Sequence, residues 1–220
     1  MRFKVITLGA TSAGKTSLIN RFVRGKIDPL TNSTIGASYL TYKFPSFRNE
    51  HSITLDLWDT AGQERFRSIV PLYLRSSNII LLVGDLCDPH AVQDFISIWE
   101  VMIHNFAPVE SHTIVVGTKV DLNTKHDFLA KYAKDRGLPY FETSAVTGVG
   151  VYELFNYIRD ICGRIPGYDL PNINTHIQPI IENQSSHSSR SSRSSRSSRN
   201  CFDEWNALWM SLMNLFKNDK

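Results

Sequence analysis

The sequence predicts an α/β domain with a mainly parallel sheet over residues 1–164. Short apolar or β-branched runs alternate there with helical spacing of apolar residues, which is typical of a parallel sheet covered by helices. A chain of 220 residues, 42% hydrophobic and 20% charged, has room for one domain of about 150 residues and a shorter extension. This composition excludes wholesale disorder, a collagen-like repeat and a disulfide scaffold.

The predicted elements follow one another in chain order. Strands are predicted at 3–8, 79–83 and 113–116, and a hairpin at 39–44 and 53–58 around a turn at 48–50. Helical spacing of apolar residues appears in three segments, at 18–23, 92–103 and 154–161. Before the second of these, Asp88 and Pro89 supply an N-cap and a first-turn proline.

The composition changes after residue 164. Residues 165–201 are predicted to be a linker, because they include the repeat SSHSSRSSRSSRSSR, which has no apolar side chain to bury. On a helical wheel the apolar residues of 202–216 fall in one arc, so residues 202–220 are predicted to contain an amphipathic helix. The sequence thus predicts a domain, a linker and a terminal helix.

Charges and cysteines indicate the setting of the protein. The net charge of +3 arises in residues 185–220, so residues 1–184 are neutral and no nucleic-acid partner is expected. The three cysteines lie far apart and form no CxxC pair, which favours free thiols in a reducing compartment. No apolar run is long enough for a signal peptide or a membrane span, so we expect a cytoplasmic protein.

A predicted phosphate-binding loop follows the first strand. Its residues are Gly9-Ala10-Thr11-Ser12-Ala13-Gly14-Lys15-Thr16. The loop fits GxxxxGK[ST] and leads into a helical pattern that begins near Ser17. Ser17 itself is predicted to be a further phosphate contact. Glycines let the backbone approach a phosphate, and amides at the helix N-terminus point at the anion. Lys15 is predicted to meet the β and γ phosphates, and the Thr16 hydroxyl to bind Mg²⁺.

A second motif predicts the base. Thr118-Lys119-Val120-Asp121 stands at the carboxyl end of a predicted buried strand, where open α/β sheets place ligands. A carboxylate there can accept hydrogen bonds from N1–H and N2–H₂ of guanine, a donor pair that adenine lacks. Asp121 therefore predicts GTP rather than ATP. Taken alone, the motif would more often be a solvated Lys-x-Asp in a surface turn.

A third segment ends the second strand of the predicted hairpin. It runs Trp58-Asp59-Thr60-Ala61-Gly62-Gln63-Glu64. Asp59 at a strand end suits a water-mediated contact to Mg²⁺, and Gly62 lets its amide reach a γ-phosphate. Gln63 is predicted to orient the attacking water.

Together these motifs resemble those of the small GTPases of the Ras superfamily, and most closely the Rab family. The matching residues are GATSAGKT at 9–16, STIG at 33–36, WDTAGQERFRS at 58–68, TKVD at 118–121 and ETSA at 142–145. The resemblance covers residues 1–164. It implies a P-loop NTPase fold, with a six-stranded, mostly parallel sheet, one antiparallel strand and five flanking helices. It also implies GTP and GDP as ligands, Mg²⁺ as cofactor and hydrolysis of GTP.

The resemblance also implies roles for further residues. Thr34 would complete the Mg²⁺ shell with Thr16 and Asp59. The implied guanine contacts are Thr118, Lys119, Asp121, Ser144 and Ala145. Tyr39, Trp58 and Tyr73 correspond to an aromatic triad that Rab effectors contact, with ordinary packing at a sheet edge as the alternative. The implied partners are effector proteins, an exchange factor and an activating protein, and the implied process is vesicle traffic.

Some positions differ from the usual family pattern. Near the base, the chain has Thr118 for asparagine, Ile27 for an aromatic residue and Val146 for lysine. These differences predict weaker anchoring of the phosphate loop and weaker retention of GDP than in typical Rab proteins. Thr11 and Ser12 stand where very small residues are preferred, and no arginine lies between Ile27 and Thr34. Intrinsic hydrolysis of GTP is therefore predicted to be slow. An arginine that neutralises charge on the phosphates would have to come from a partner protein.

The terminal segment carries no prenylation motif, and Cys201 lies well before the last residue. Peripheral membrane contact without prenylation is one interpretation, through the amphipathic segment 202–216 and the four arginines of the repeat. Alternatively, the same apolar arc binds a partner protein or packs on the surface of the domain itself.

The motifs as a whole predict a Rab-type GTPase switch. The alternative is a guanine-nucleotide-binding module with negligible turnover that signals by occupancy. A P-loop kinase is a more distant alternative, which the DTAGQ segment and the lack of a lid-like arginine cluster disfavour.

Overall fold

The computed structural model describes residues 1–27, 34–44, 52–122 and 127–164. For residues 89–95 it describes the backbone alone. Its strands are β1 (Arg2–Gly9), β2 (Ala37–Lys43), β3 (Thr54–Thr60), β4 (Ile79–Asp85), β5 (His112–Thr118) and β6 (Tyr140–Glu142). Its α-helices are α1 (Lys15–Arg24), α2 (Val70–Leu74), α3 (Pro89–Phe106), α4 (Phe128–Arg136) and α5 (Val151–Arg164). A 3-10 helix at Glu64–Ile69 precedes α2.

The six strands form one sheet in the order β2-β3-β1-β4-β5-β6. β2 pairs antiparallel with β3, and every other pairing is parallel. Within the described ranges, six strands and five α-helices agree with the predicted P-loop fold class, which is confirmed. The parallel strands β1, β3, β4 and β5 end at the same edge of the sheet, where open α/β sheets place ligands.

Each face of the sheet covers one part of the core. On one face Phe22 of α1 stacks on Phe155 of α5, with ring centroids 3.6 Å apart. On the other face Trp99 of α3 packs with Leu74 of α2 and Leu129 of α4. Strands buried on both faces are expected to be continuously apolar, and β4 is buried from Ile79 to Gly84.

The sequence located some elements better than others. Helix α1 begins at Lys15 rather than near Ser17, because Gly14 adopts the left-handed conformation and lies at the N-cap. Helix α3 begins at Pro89 as predicted. The predicted turn at 48–50, the linker 165–201 and the terminal helix 202–220 lie outside the described residues. None of the helices in the described ranges has the length and apolar character that crossing a bilayer requires.

Candidate functional site

The loop between β1 and α1 is folded tightly against its neighbours. A Cβ on Gly9 would collide with the carbonyl oxygen of Val83 on β4, so only glycine fits there. Gly14 has φ 84°, and Ser12 has φ 63°, a left-handed conformation that is uncommon for a residue with a side chain. The loop amides lead into the N-terminus of α1, an arrangement that suits an anion.

Lys15 is buried at the base of this loop, with 5% of its surface exposed. Its Nζ donates hydrogen bonds to the carbonyl oxygens of Gly9, at 2.9 Å, and Ala10, at 2.7 Å. Burial lowers the pKa of Lys15 to about 8, against the opposing attraction of the Asp59 carboxylate. The amine is thus a desolvated cation at the centre of the loop, which favours binding of a strong anion.

Three oxygen-bearing side chains meet beside Lys15. The Thr16 hydroxyl donates to Asp59 Oδ2 at 2.6 Å and lies 2.9 Å from the Thr34 hydroxyl. Thr34 also donates to Asp59 Oδ2, at 3.3 Å. Asp59 is 2% exposed, and burial raises its pKa, although hydrogen bonds from Thr16 oppose this shift. Two hydroxyls and a carboxylate are hard oxygen donors of the kind that Mg²⁺ prefers, so the set fits this ion.

The segment after β3 lies directly on the phosphate loop. A Cβ on Gly62 would come within 2.5 Å of the backbone of Ala10 and Thr11. Gln63 follows at the start of the 3-10 helix, where its carbonyl accepts a hydrogen bond from the Phe66 amide. The structure therefore brings the third predicted segment to the phosphate loop.

These elements enclose a cavity of about 200 Å³. Its lining consists of Thr11, Ser12, Gly14, Lys15, Thr16, Ser17, Thr34, Thr60, Gly62, Gln63 and Lys119. Nearly all of the predicted phosphate and Mg²⁺ residues therefore either line one cavity or contact its lining.

The predicted base motif is joined to the phosphate loop through Thr118. Its Oγ1 lies 2.7 Å from the carbonyl oxygen of Ala13 and 3.1 Å from that of Gly84. Lys119 follows with φ 62°, and its Nζ lies 2.6 Å from Asp85 Oδ2. Asp121 is exposed, two residues further along the same turn.

The loop between β6 and α5 lies against this motif. The Val120 amide donates to the Thr143 carbonyl at 3.2 Å, and Ser144 is completely buried. The Ser144 hydroxyl accepts a hydrogen bond from the Thr147 amide at 3.0 Å, which closes the turn. Ala145 follows and is half-buried. The two segments predicted to contact guanine are therefore adjacent in space.

Tyr39, Trp58 and Tyr73 form a continuous aromatic surface across β2, β3 and α2. Trp58 lies in the middle, with ring centroids 5.3 Å from Tyr39 and 5.5 Å from Tyr73. Tyr39 is 47% exposed. Its hydroxyl donates to Asp56 Oδ1 at 2.7 Å and accepts a hydrogen bond from Arg2 at 3.0 Å.

Several residues at the site escaped the sequence analysis. Asp85 pairs with Lys119, and the Arg21 guanidinium donates to the Thr147 carbonyl at 3.2 Å. The Thr60 hydroxyl donates to the Thr7 carbonyl at 2.6 Å, which joins the ends of β1 and β3. Of these residues, only Asp85 has a signal in the sequence. It is a carboxylate at the end of a predicted buried strand, and such strands end at the ligand edge of the sheet.

The fold and the site define a class of protein. A mainly parallel sheet with a phosphate loop between β1 and α1, and with Thr-Lys-Val-Asp starting at the last residue of β5, is the arrangement of a small guanine-nucleotide-binding GTPase. The model of the Ras family matches residues 4–162. The GTP-binding protein ypt5 of Schizosaccharomyces pombe is 38% identical over 160 residues, which are 70% of this chain and 75% of ypt5.

The chain therefore belongs to the Ras family. It is a Rab/Ras-superfamily GTPase, an enzyme that hydrolyses GTP and a small GTPase switch. The predicted superfamily and the predicted enzyme class are confirmed. The alternative of a nucleotide-binding module with negligible turnover is not favoured.

Proposed function

We propose that this GTPase is a Rab-type switch that binds effectors in vesicle traffic when it carries GTP. The Rab-like segment 58–68 and the aromatic surface of the exposed Tyr39 with the half-buried Trp58 and Tyr73 support this proposal. The partners are an effector that packs on this surface, an exchange factor and an activating protein. The switch acts at a membrane to which the protein is bound peripherally.

The phosphates bind at the loop of residues 9–17. Backbone amides of the loop and of the α1 N-terminus bind the β and γ phosphates, and the buried Lys15 neutralises their charge. Two carbonyls take two of the three ammonium hydrogens of Lys15, which orients the third toward a ligand. The Gly62 amide contacts the γ phosphate, and Gln63 orients the attacking water.

Mg²⁺ belongs beside the phosphates, where it supplies positive charge that stabilises the transferring phosphoryl group. The hydroxyls of Thr16 and Thr34 and the carboxylate of Asp59 would hold it. The mutual hydrogen bonds among these three side chains support this assignment. Because Thr34 precedes β2, which carries Tyr39, a role of Thr34 in holding the ion would link the nucleotide state to the effector surface.

Guanine binds where the turns after β5 and β6 meet. Asp121 accepts hydrogen bonds from N1–H and N2–H₂, the backbone of Ser144 and Ala145 contacts O6, and Lys119 lies along the base. The single observation that carries the proposal is that the turn after β5 contacts both the phosphate loop, through Thr118, and the turn after β6, through the Val120 amide.

Base exchange tests the proposed guanine site. In Asp121→Asn the amide can donate to the C2 carbonyl of xanthine but no longer accepts both guanine donors, so the preference should move from GDP to XDP. We expect a change in relative affinity of at least about a hundredfold, because a site built for a hydrogen-bonding group rejects the analogue strongly. Competition of GDP, XDP and ADP against fluorescent mant-GDP measures it.

The matched control is Asp135→Asn, which removes an exposed carboxylate on α4. It should leave the preference for GDP unchanged. Equal displacement by ADP and GDP in the wild type, or an Asp121→Asn protein that still prefers GDP, would contradict the proposed site.

A further inference from the structure

Asp85 is a charged residue beside the nucleotide cavity to which none of the motifs gives a role. It is the last residue of β4, and its Oδ2 lies 2.6 Å from Lys119 Nζ. In the register of the sheet Asp85 lies opposite Thr118. The Leu86 amide donates to the Thr118 carbonyl at 3.2 Å, so β4 and β5 remain joined up to the residue before Lys119.

The Asp85 carboxylate is fixed from two directions. Its Oδ1 accepts a hydrogen bond from the Cys87 amide at 2.9 Å, while its Oδ2 accepts one from Lys119. Its side chain is 17% exposed, and that of Lys119 is 36% exposed. A hydrogen bond between two charged groups is stronger than a neutral one, and partial burial reduces its screening by solvent.

Lys119 needs such a partner because of where it lies. It lines the same cavity as Lys15 and Thr16, whereas Asp85 is not part of that lining. An unpaired ammonium there would be attracted to the phosphates of a bound nucleotide. The backbone of Lys119 is already fixed, with φ 62° and its carbonyl accepting the Leu122 amide at 3.0 Å. Only the side chain of Lys119 still needs a contact that fixes its direction.

We propose that Asp85 is a positioning residue for guanine recognition. Its carboxylate anchors the Lys119 ammonium away from the phosphates, so that the aliphatic part of Lys119 lies against the face of the base. Asp85 touches no part of the nucleotide and acts through Lys119. This inference rests on the guanine site proposed above.

A double-mutant cycle on the full-length chain tests the inference. Asp85→Asn removes the charge but keeps an oxygen that can accept the Cys87 amide, so it isolates the ion pair. We expect mant-GDP to dissociate about three to ten times faster from Asp85→Asn than from the wild type. Lys119→Met should also accelerate release, and the double variant should release no faster than Lys119→Met alone, because Asp85 acts only through Lys119.

The control is Asp160→Asn, which removes a carboxylate that pairs with Arg159 on α5 at 3.2 Å. It should leave release unchanged, and thermal melting should confirm that all variants fold. The inference is wrong if Lys119→Met accelerates release while Asp85→Asn does not, or if the two effects add in full. If Lys119→Met itself changes nothing, the proposed guanine site fails and the inference fails with it.

Discussion

At the scale of single residues, Thr118 connects three parts of the site through one hydroxyl. Its Oγ1 lies within hydrogen-bond distance of the Ala13 carbonyl in the phosphate loop and the Gly84 carbonyl in β4. A hydroxyl has one hydrogen to donate, so it cannot satisfy both carbonyls fully, whereas an asparagine amide has two. The weaker loop anchoring predicted from the sequence has this physical basis and stays a prediction.

Substitution of Thr118 should change GDP release in opposite directions. Thr118→Val keeps the shape but removes the one hydroxyl donor shared by the Ala13 and Gly84 carbonyls, at a cost of about 1–3 kcal/mol, so GDP should dissociate about tenfold faster. Thr118→Asn should slow dissociation. Stopped-flow release of mant-GDP measures both rates. Release from Thr118→Val at the wild-type rate would show that the hydroxyl does not anchor the loop.

Asp56 gives a pH dependence that can be measured. Hydrogen bonds from Arg2 lower the pKa of Asp56 below its ordinary value, with smaller help from the Tyr39 hydroxyl and against some desolvation. A lowered folded pKa contributes stability that is complete above about pH 4 and is lost as pH falls through the folded pKa. Urea unfolding between about pH 5 and pH 2 should show this loss.

In Asp56→Asn the same acid dependence of stability should be shallower, because that carboxylate no longer titrates. Asp160→Asn provides the comparison, because it removes a carboxylate on α5 that pairs with Arg159 and has no contact with Arg2 or Tyr39 in the described residues. Acid profiles that coincide for the wild type and Asp56→Asn would contradict the assigned role of Asp56.

The sequence predicts those residues of the site that lie within short motifs. Lys15, Thr16 and Gln63 stand at fixed spacings in one loop, so their positions follow from local sequence. Asp85 and Arg2 find their partners 34 and 54 residues away along the chain. Such pairs depend on the register of the sheet, which a single sequence does not specify.

At the scale of elements, an aromatic cluster joins α1, β2 and α5. Phe22 stacks on Phe155 with an interplanar angle of 3°, and its ring centroid lies 4.3 Å from that of Tyr42 on β2. Phe22 is 4% exposed. The cluster fixes the edge strand β2, which carries Tyr39, to the two helices behind it.

Truncation of Phe22 should therefore destabilise the domain. Phe22→Ala removes a buried ring from between α1, β2 and α5, and we expect a loss of about 3–5 kcal/mol in the free energy of unfolding. Urea denaturation measures it. Phe106→Ala at the exposed end of α3, where the ring is 40% exposed, should cost no more than about 0.5 kcal/mol. Equal effects of the two substitutions would contradict this account of the core.

Helical periodicity or a continuous apolar run is what makes an element predictable from its own residues. The long helices α3 and α5 and the apolar strands β1, β4 and β5 were located from their own residues. Strand β6 has three residues and α4 has nine, too few for a clear period, and they were expected only through the family resemblance. The 3-10 helix before α2 was not anticipated, because none of its residues is buried and it therefore has no apolar stripe.

At the scale of the whole molecule, the site is built where parallel strands end together. Residues at the end of β3 and in the segments that follow β1, β3 and β5 line one cavity, and the sheet order places these strands and β4 side by side. The division at residue 164 and the roles of the linker and terminal helix stay predictions, since residues 165–220 lie outside the described ranges.

The isolated protein is expected to turn GTP over slowly. Thr11 and the left-handed Ser12 lie in the cavity lining beside Gln63 and leave less room near a γ phosphate than very small residues would. The charge that develops on the phosphoryl group then depends on an arginine from an activating protein.

Single-turnover cleavage of GTP by the purified chain tests the central claim most directly, with wild type and Gln63→Leu compared side by side. We expect the wild type to convert bound GTP slowly but completely to GDP. Gln63→Leu should bind GTP equally well and cleave it at least about tenfold more slowly, because leucine cannot orient the attacking water. Cleavage by Gln63→Leu at the wild-type rate would contradict the account, as would a wild type that binds GTP and never cleaves it.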